Sequence, residues 1–478
     1  MNWKTENEII VPDRRVCDFG LGLNLGLGAQ QQAAAAGSSG PSLTFEWKIE
    51  GGSYAEMTSG SSPAPGNLSG KQLFVKITSA DVASTVESIT PRDPTNTVDS
   101  TLVLAEDGDG TGEIAADGNV EIAFDMATDV LARKCPVQIV IDGTTYTFTF
   151  KCFQFAGTLR AVNSGATATT GITVDGVDIG DASAGYATLD AAIDALANTD
   201  VIVITEAFTD TTQCSDLTET GVFIDVADSA RGDNKRAGSS TYLLAPTSET
   251  AALRIYGTGC VIRHLHVKRP SGAASNYSAF EVQANTTSGT YIFENCIFQN
   301  DRTGSSGYGH ALAIDNPVTA TDSHIYMRNC VFYNTKADGG AAVRSYAGEV
   351  ILHLHNCDVY TSQSGVAGIH HYNNLQLIKC ANCRVIVPGT AYYANCLADA
   401  SGAGNNMGSD TSAPGTTAYD NATTAVFTSV TAGSEDFHWP DSDTMDNYAG
   451  ADMSASYVLD IDSEARAGNH LGCDYVTA

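Results

Sequence analysis

The sequence predicts an all-β protein: a right-handed, single-stranded parallel β-helix preceded by a small β-sandwich domain and an extended N-terminal arm. One strand pattern recurs through the middle of the chain at steps of 31, 34, 27 and 26 residues, which indicates a stacked solenoid. Before it, strand-length segments are separated by glycine, proline and aspartate turns. Charged residues make up only 17% of the chain and 46 residues are glycine, a composition typical of strands and turns.

The predicted N-terminal arm covers residues 1–40 and contains a strand with one wholly apolar face. Two interpretations are open: an edge strand of the next domain, or an arm that docks on another subunit by strand addition. In both cases the apolar row must be covered, because an exposed apolar strand promotes aggregation. We expect it to dock on a partner chain through Phe19, Leu21, Leu23, Leu25 and Leu27.

We expect residues 41–155 to form a separate β-sandwich that serves as an anchor domain. Six segments have strand length and strand composition, and turn residues divide them. They are LTFEWKIE, KQLFVKIT, STLVLAED, NVEIAFDM, CPVQIVID and TTYTFTFKCF. A glycine- and threonine-rich linker over residues 156–185 is expected to follow.

The recurring unit places an asparagine–cysteine pair directly after a strand. Apolar residues stand five and three positions before the cysteine and two positions after it. Because side chains alternate along a strand, these residues share one interior only if the chain bends beside the asparagine. Asparagine tolerates left-handed turn geometry, and stacked amides would form a ladder. The pairs are Asn295-Cys296, Asn329-Cys330, Asn356-Cys357 and Asn382-Cys383, while a fifth copy carries His264-Leu265 instead.

The region from about 170 to 400 resembles the pectate-lyase-like proteins with a right-handed parallel β-helix. The run from Gly185 to Leu189 is similar to the family's entry cap, and it leads into a helix whose apolar face would cover the first coil. That face is made by Leu189, Ala192, Ile193 and Leu196. The resemblance implies a β-helix over residues 186–400 and a loop-rich C-terminal cap over residues 401–478. The fold hosts many functions, so it argues little about activity.

Histidines are the residues that most resemble metal ligands, and they occur in pairs. The members of the first two pairs are two residues apart and would face the same way on one strand. A solvated surface stripe is the favoured interpretation, and a metal at a partner interface is the alternative. The pairs are His264/His266, His353/His355 and His370-His371. We expect no cofactor and no metal.

No catalytic set is predicted. The resemblance implies that lyases of this fold use a carboxylate cluster that holds calcium, and that hydrolases use clustered aspartates. The outward candidates do not repeat an acidic set on neighbouring coils: they are Glu294, Arg328, Asp358, Lys379 and Arg384. Other acidic residues fall in turns, at Asp301, Asp315 and Asp322. Loop tyrosines could instead form a glycan-binding surface, with Tyr308, Tyr346, Tyr372 and Tyr393 as the candidates.

The formal net charge of −30 disfavours nucleic acid and anionic membranes as partners, since both need basic patches. No apolar stretch is long enough to span a membrane, so no membrane insertion is expected. The first ten residues lack the basic start and apolar run of a secretory signal. We therefore expect the chain to be made in a host cytoplasm.

An N-terminal anchor followed by a rigid solenoid resembles the layout of structural proteins of tailed phages. The leading hypothesis is a virion structural protein, a spike, fibre or capsid or tail decoration, whose arm contacts other virion proteins. It would be a homo-oligomer, for which a trimer is one compatible arrangement, and it could touch host polysaccharide. The alternative is a polysaccharide lyase or glycoside hydrolase, and a bacterial adhesin is a third hypothesis that the missing signal disfavours.

Overall fold

The computed structural model describes the chain from residue 42 onward, with gaps. The described residues are 42–80, 82–91, 102–105, 111–126, 130–231, 242–247, 251–271, 277–283, 289–301, 309–315, 323–335, 340–346, 350–363, 367–371, 377–392, 396–398, 405–415, 418–430, 436–440, 445, 448 and 471–472. The predicted docking row from Phe19 to Leu27 lies outside them, as do Tyr308, Tyr372 and Tyr393.

Two sheets of five strands each form the β-sandwich. The first sheet has the order Ala55–Met57, Ser42–Ile49, Leu73–Ala80, Asn119–Met126, Leu102–Leu104. The second sheet has the order Gly66–Asn67, Thr144–Gln154, Val130–Ile141, Ser84–Pro91, Gly112–Ile114. Pairing is antiparallel except between the first two strands of the second sheet.

The sandwich strands bury alternate side chains, as a sheet with one wet face requires. In Leu73–Ala80 the buried positions alternate with half-buried ones along the whole strand. The buried residues of both sheets meet in one apolar core that contains Val75, Phe124, Ile139 and Phe148.

Three parallel sheets form the solenoid that follows. Sheet 1 has ten strands: Ala184–Tyr186, Leu159–Val162, Val201–Ile204, Phe223–Val226, Val261–Arg263, Thr290–Glu294, Ser323–Arg328, Val350–His355, Leu377–Ala381 and Cys396–Ala398. Sheet 2 has eight: Thr209–Asp210, Leu243–Leu244, His266–Arg269, Ile297–Asn300, Val331–Asn334, Asp358–Thr361, Arg384–Ile386 and Met407–Gly408. Sheet 3 has five: Leu253–Ile255, Phe280–Gln283, Leu312–Asp315, Val343–Ser345 and Ile369–His371. The predicted fold class, a parallel β-helix preceded by a β-sandwich, is confirmed.

The asparagine–cysteine pairs occupy the predicted positions between sheets 1 and 2. All four asparagines are left-handed, with φ between 50° and 55°. All four cysteines are fully buried and belong to the apolar core inside the coils. Burial raises the pKa of the Cys296 and Cys357 thiols well above the ordinary value. All four cysteines therefore pack as small apolar residues of the interior, and the thiols of Cys296 and Cys357 stay protonated.

The predicted linker over residues 156–185 contains the start of the solenoid. Leu159–Val162 pairs in parallel with Val201–Ile204 and so belongs to sheet 1. A hairpin, Ile172–Val174 with Val177–Gly180, packs beside it. The helix Leu189–Ile193 buries Leu189, Ala192 and Ile193, and Thr188 caps it by accepting a hydrogen bond from the Ala191 amide.

Part of the C-terminal region folds back along the outer side of sheet 2. Val426, Phe427, Phe437 and Trp439 form one apolar cluster with outward side chains of that sheet, including Tyr333 and Tyr360. A short 3-10 turn lies at Thr424–Val426, and a short helix lies at Asp228–Arg231. We call residues 418–448 and 471–472, as far as the structure describes them, the C-terminal segment.

Candidate functional site

The outer face of sheet 1 carries a column of charges that alternate in sign. Successive coils place Asp225, Arg263, Glu294 and Arg328 at one register position, and His355 follows Arg328 in the next coil. The Arg263 Nε atom donates to Asp225 Oδ2 at 2.7 Å, and an Arg328 guanidinium nitrogen donates to Glu294 Oε1 at 2.8 Å. All five side chains are buried. The column therefore works as a row of ion pairs that hold consecutive coils in register.

His264 replaces asparagine in one coil and keeps the same left-handed turn, with φ at 56°. Its Nδ1 atom lies 2.8 Å from Asp225 Oδ1, and its Nε2 atom lies 2.9 Å from the Asn295 amide nitrogen. A carboxylate only accepts, so Nδ1 carries the proton and Nε2 accepts from Asn295. Burial lowers the pKa of His264, so the ring is held neutral between the two partners.

The predicted solvated histidine stripe is wrong. His353 and His355 do point outward, but only 6% and 5% of their surfaces are exposed. Outward side chains on neighbouring coils are only about 4.8 Å apart and cover one another: the His353 ring lies 4.4 Å from the Tyr326 ring, at an angle of 14°.

The prediction that His264 and His266 share one strand face is also wrong. His264 lies in the turn, whereas His266 begins the sheet 2 strand His266–Arg269. Its Nε2 atom lies 3.2 Å from Gln299 Oε1. The left-handed turn between the two histidines separates their side chains.

The outer face of sheet 2 is occupied by the C-terminal segment. Asp358 and Arg384 form a fully buried pair there, with contacts of 2.5 and 2.6 Å. Arg384 also donates to the carbonyl oxygens of Val426 and Phe437, and its guanidinium lies 4.3 Å from the centre of the Trp439 ring. A Cβ added at Gly472 would lie 2.3 Å from Arg384 Nε, which shows how closely the backbone approaches the pair.

The outer face of sheet 3 is the candidate ligand-binding face. One column of outward residues runs Arg254, Glu281, Ala313, Arg344 and His370 from coil to coil. A second column contains Gln283 and Asp315, and Tyr346 follows at the next register position. Of these residues Asp315 is exposed, and Arg254, Gln283, Tyr346 and His370 are half-buried. Acidic, basic and aromatic groups thus lie together on this face.

A carboxylate with a shifted pKa lies at one end of this face. The Arg254 Nε atom donates to Glu281 Oε2 at 3.1 Å, and a second Arg254 nitrogen lies 3.4 Å from Asp216 Oδ1. Burial raises the pKa of Glu281, and Asp315 adds to the rise, although Arg254 opposes it. The exposed ring of Tyr277 lies 5.8 Å from the Arg254 guanidinium.

An aromatic and basic group lies further along the same face. The Arg344 guanidinium lies 4.3 Å from the centre of the Tyr346 ring, a cation–π contact. His310 Nδ1 donates to the Ala341 carbonyl at 3.0 Å, so its Nε2 atom accepts from the Tyr346 hydroxyl at 3.1 Å. Burial lowers the pKa of the neighbouring His370, and the charge of Arg344 lowers it further. The face therefore offers a fixed tyrosine ring beside a permanent positive charge.

Tyr346 is the one predicted glycan-binding tyrosine that falls among the described residues, and it lies on the candidate face. The sequence pattern did not predict Arg254, Glu281 and Arg344 as site residues, because it did not reveal the strands of sheet 3. A signal was present in the short segments LRIY, FEVQ, LAID, VRSY and IHHY. Two small residues directly precede four of these five segments. The other outward candidates are structural: Glu294, Arg328, Asp358 and Arg384 are held in ion pairs.

Within the ranges that the structure describes, no three histidine, cysteine, aspartate or glutamate side chains come together as metal ligands. Over the same residues, no helix is both long and apolar enough to cross a membrane.

No model of a known protein family matches the chain, and no curated protein matches it. Solved structures with a similar chain path include the pectin methylesterase from Aspergillus niger, which is 17% identical with a TM-score of 0.31 and covers 58% of this chain and 94% of that one. They also include pectate lyase Pel9A, which is 11% identical with a TM-score of 0.26 and covers 58% of this chain and 84% of that one. Similarity at this level carries no argument about activity, so function must be argued from this chain's own residues.

Proposed function

We propose that the protein is a structural component of a virion, a spike, fibre or decoration, whose solenoid binds a host-surface glycan on the outer face of sheet 3. The observation that carries the glycan part is the grouping of Arg254, Glu281, Arg344 and two tyrosines on that face. Tyrosine rings cover the apolar faces of sugars, while charged side chains bind hydroxyl groups.

The rod-like build of the solenoid supports the structural part. Sheet 1 stacks ten parallel strands, which at about 4.8 Å for each step extend roughly 43 Å. Ion pairs between neighbouring strands of sheet 1 link consecutive coils, so the solenoid resists local unfolding. A sandwich at one end and the apolar row at Phe19–Leu27 suit attachment to other virion proteins or to further copies of this chain.

Mass spectrometry of purified virions tests the structural part. We expect peptides from the whole chain in stoichiometric amounts, and deletion of residues 1–40 should abolish incorporation without unfolding the solenoid. Complete absence of the chain from particles would remove this part of the proposal.

Binding of the purified protein to host capsular polysaccharide tests the glycan part. Tyr346→Ala and Tyr277→Ala should each weaken binding about tenfold, because a stacked ring contributes about 1–2 kcal/mol. Tyr54→Ala is the matched control, since Tyr54 is a half-buried tyrosine of the sandwich. Equal losses in all three variants, or no binding by the wild-type protein, would contradict the assignment of the face.

A polysaccharide hydrolase or lyase is the second candidate function, favoured by the raised pKa of Glu281 close to the exposed Asp315. In a hydrolase, Glu281 would protonate the glycosidic oxygen and Asp315 would act as base or nucleophile. Release of reducing ends that Glu281→Gln abolishes supports hydrolysis, and unsaturated products support a lyase. Binding without any new ends leaves the glycan-binding structural role.

A further inference from the structure

Two histidines on the outer face of sheet 1 bring ring nitrogens together. The Nδ1 atom of His324 lies 3.1 Å from the Nε2 atom of His353. The residues belong to neighbouring strands, Ser323–Arg328 and Val350–His355. They are diagonal neighbours, since His353 pairs in register with Tyr326. This contact is separate from the glycan-binding face on sheet 3.

Stacking holds both rings in place. The His353 and Tyr326 rings are 4.4 Å apart and nearly parallel. The His324 ring is also nearly parallel to the His353 ring, at 21° and 5.4 Å between centres. Side chains that are already ordered lose little entropy when they bind a common ligand. Fixed orientation of the imidazole is also what tunes a histidine as a metal ligand.

We propose that His324 and His353 chelate a divalent transition-metal ion of the zinc or copper class, with solvent completing the coordination. Imidazole nitrogen is a preferred ligand for both ions. An ion about 2.0–2.1 Å from each of two nitrogens at this separation makes an N–metal–N angle of about 100°. That angle lies between the square-planar and tetrahedral values. Calcium and magnesium take oxygen ligands and are not expected to bind.

The proton balance of the step is simple. In the metal-free pair one neutral imidazole donates its N–H to the other. When the ion binds, the donor ring moves that proton to its other nitrogen, so both facing nitrogens present lone pairs and no net proton is released.

Some of the surrounding charges oppose the binding of a divalent cation and others favour it. Lys379 is in register with His353, and the Arg328 guanidinium lies 5.2 Å from the centre of the Tyr326 ring. Both cations oppose a divalent ion. Glu294 pairs with Arg328 at 2.8 Å, and the chain as a whole carries a formal net charge of −30, which favours cations.

Calorimetric titration of the full-length protein with zinc chloride tests the site. We expect saturable binding of about one ion per chain. The affinity for zinc should fall at least tenfold in both His324→Ala and His353→Ala. His370→Ala is the matched control, because it removes a half-buried imidazole from sheet 3 and should leave binding unchanged. No zinc binding by the wild-type protein, or equal binding by all variants, would overturn the proposal.

A spectroscopic readout keeps the test independent of folding defects. The electron paramagnetic resonance spectrum of bound copper(II) should show coupling to two imidazole nitrogens in the wild-type protein and to one in His324→Gln, a variant that retains a polar side chain. Circular dichroism must show native strand content in every variant used. A copper spectrum without imidazole coupling in folded wild-type protein would mean that the contact is a hydrogen bond and nothing more.

Discussion

The sandwich and the solenoid differ in how far their ion pairs are exposed to water. In the sandwich, Lys48 and Glu121 lie on strands that flank Leu73–Ala80 and pair across it at 3.3 Å, with side chains 23% and 41% exposed. In the solenoid, Asp358 and Arg384 pair across neighbouring strands, and both are fully buried. An antiparallel sheet in a sandwich keeps one face in water, whereas the C-terminal segment covers this face of the solenoid. Pairs of opposite charge therefore contribute solubility in one domain and coil register in the other.

The largest difference is expected for Arg384→Leu. Removing the guanidinium leaves the Asp358 carboxylate buried without its partner, and breaking such a pair costs about 3–5 kcal/mol. Denaturant unfolding followed by circular dichroism measures the loss in the solenoid. The double variant Asp358→Leu with Arg384→Leu should recover most of it. A loss below about 1 kcal/mol for the single variant would mean that water reaches the pair.

The next largest difference in stability between the two domains is expected on acidification. All ten histidines of the chain lie at position 264 or later, so the sandwich has none. Burial lowers the pKa of His266 to about 4 from its ordinary value near 6.5. Between these values the unfolded chain binds a proton that the folded chain excludes. The stability contributed by neutral His266 is therefore complete above about pH 6.5 and is lost as pH falls toward 4, by roughly 3 kcal/mol.

Unfolding at pH 7 and at pH 4.5 measures this loss. His266→Gln should reduce the difference between the two pH values in the solenoid transition, because glutamine does not titrate. The unfolding transition of the sandwich should not change with the histidine substitution, and it should lack the pH dependence that His266 causes. An unchanged pH dependence in His266→Gln would show that other groups cause the acid sensitivity.

A smaller effect is expected at the turn asparagines. Asn356 has φ at 51°, and its Oδ1 atom accepts a hydrogen bond from the Asn382 amide at 3.2 Å. Alanine avoids this backbone region, so Asn356→Ala should cost about 1–2 kcal/mol. Asn356→Gly adopts the same φ freely and should cost less. Equal losses in the two variants would show that the amide ladder, rather than the backbone conformation, carries the stability.

The smallest effect is expected at the exposed sandwich pair. Lys48→Ala should cost about 0.2–1 kcal/mol, and added salt should reduce even that, because water screens exposed pairs. Lys48 also lies over the Tyr54 ring, at 4.4 Å from its centre, which adds a weak cation–π contact. A loss as large as that of Arg384→Leu would contradict the contrast between the domains.

Local repetition explains how much of the fold was predictable. The position of each turn followed from the asparagine–cysteine pairs, because the side chains around it had to share one interior, and the left-handed φ values confirm it. The third strand, which is present in five coils, was not predicted because segments such as Leu253–Ile255 are only three residues long. Without that strand, the side chains of Arg254, Glu281 and Arg344 could not be recognised as neighbours.

The order of apolar and polar residues along the chain determined the interior of this protein by itself, since a strand places alternate side chains on opposite faces whatever surrounds it. The exposure of the outward side chains to water was decided by tertiary structure alone. Whether His353 meets water depends on Tyr326 in the preceding coil, and whether Asp358 meets water depends on a segment that begins about sixty residues later. Solvation is set by neighbours in space, and a repeat in sequence does not say which side chains will cover its outer face.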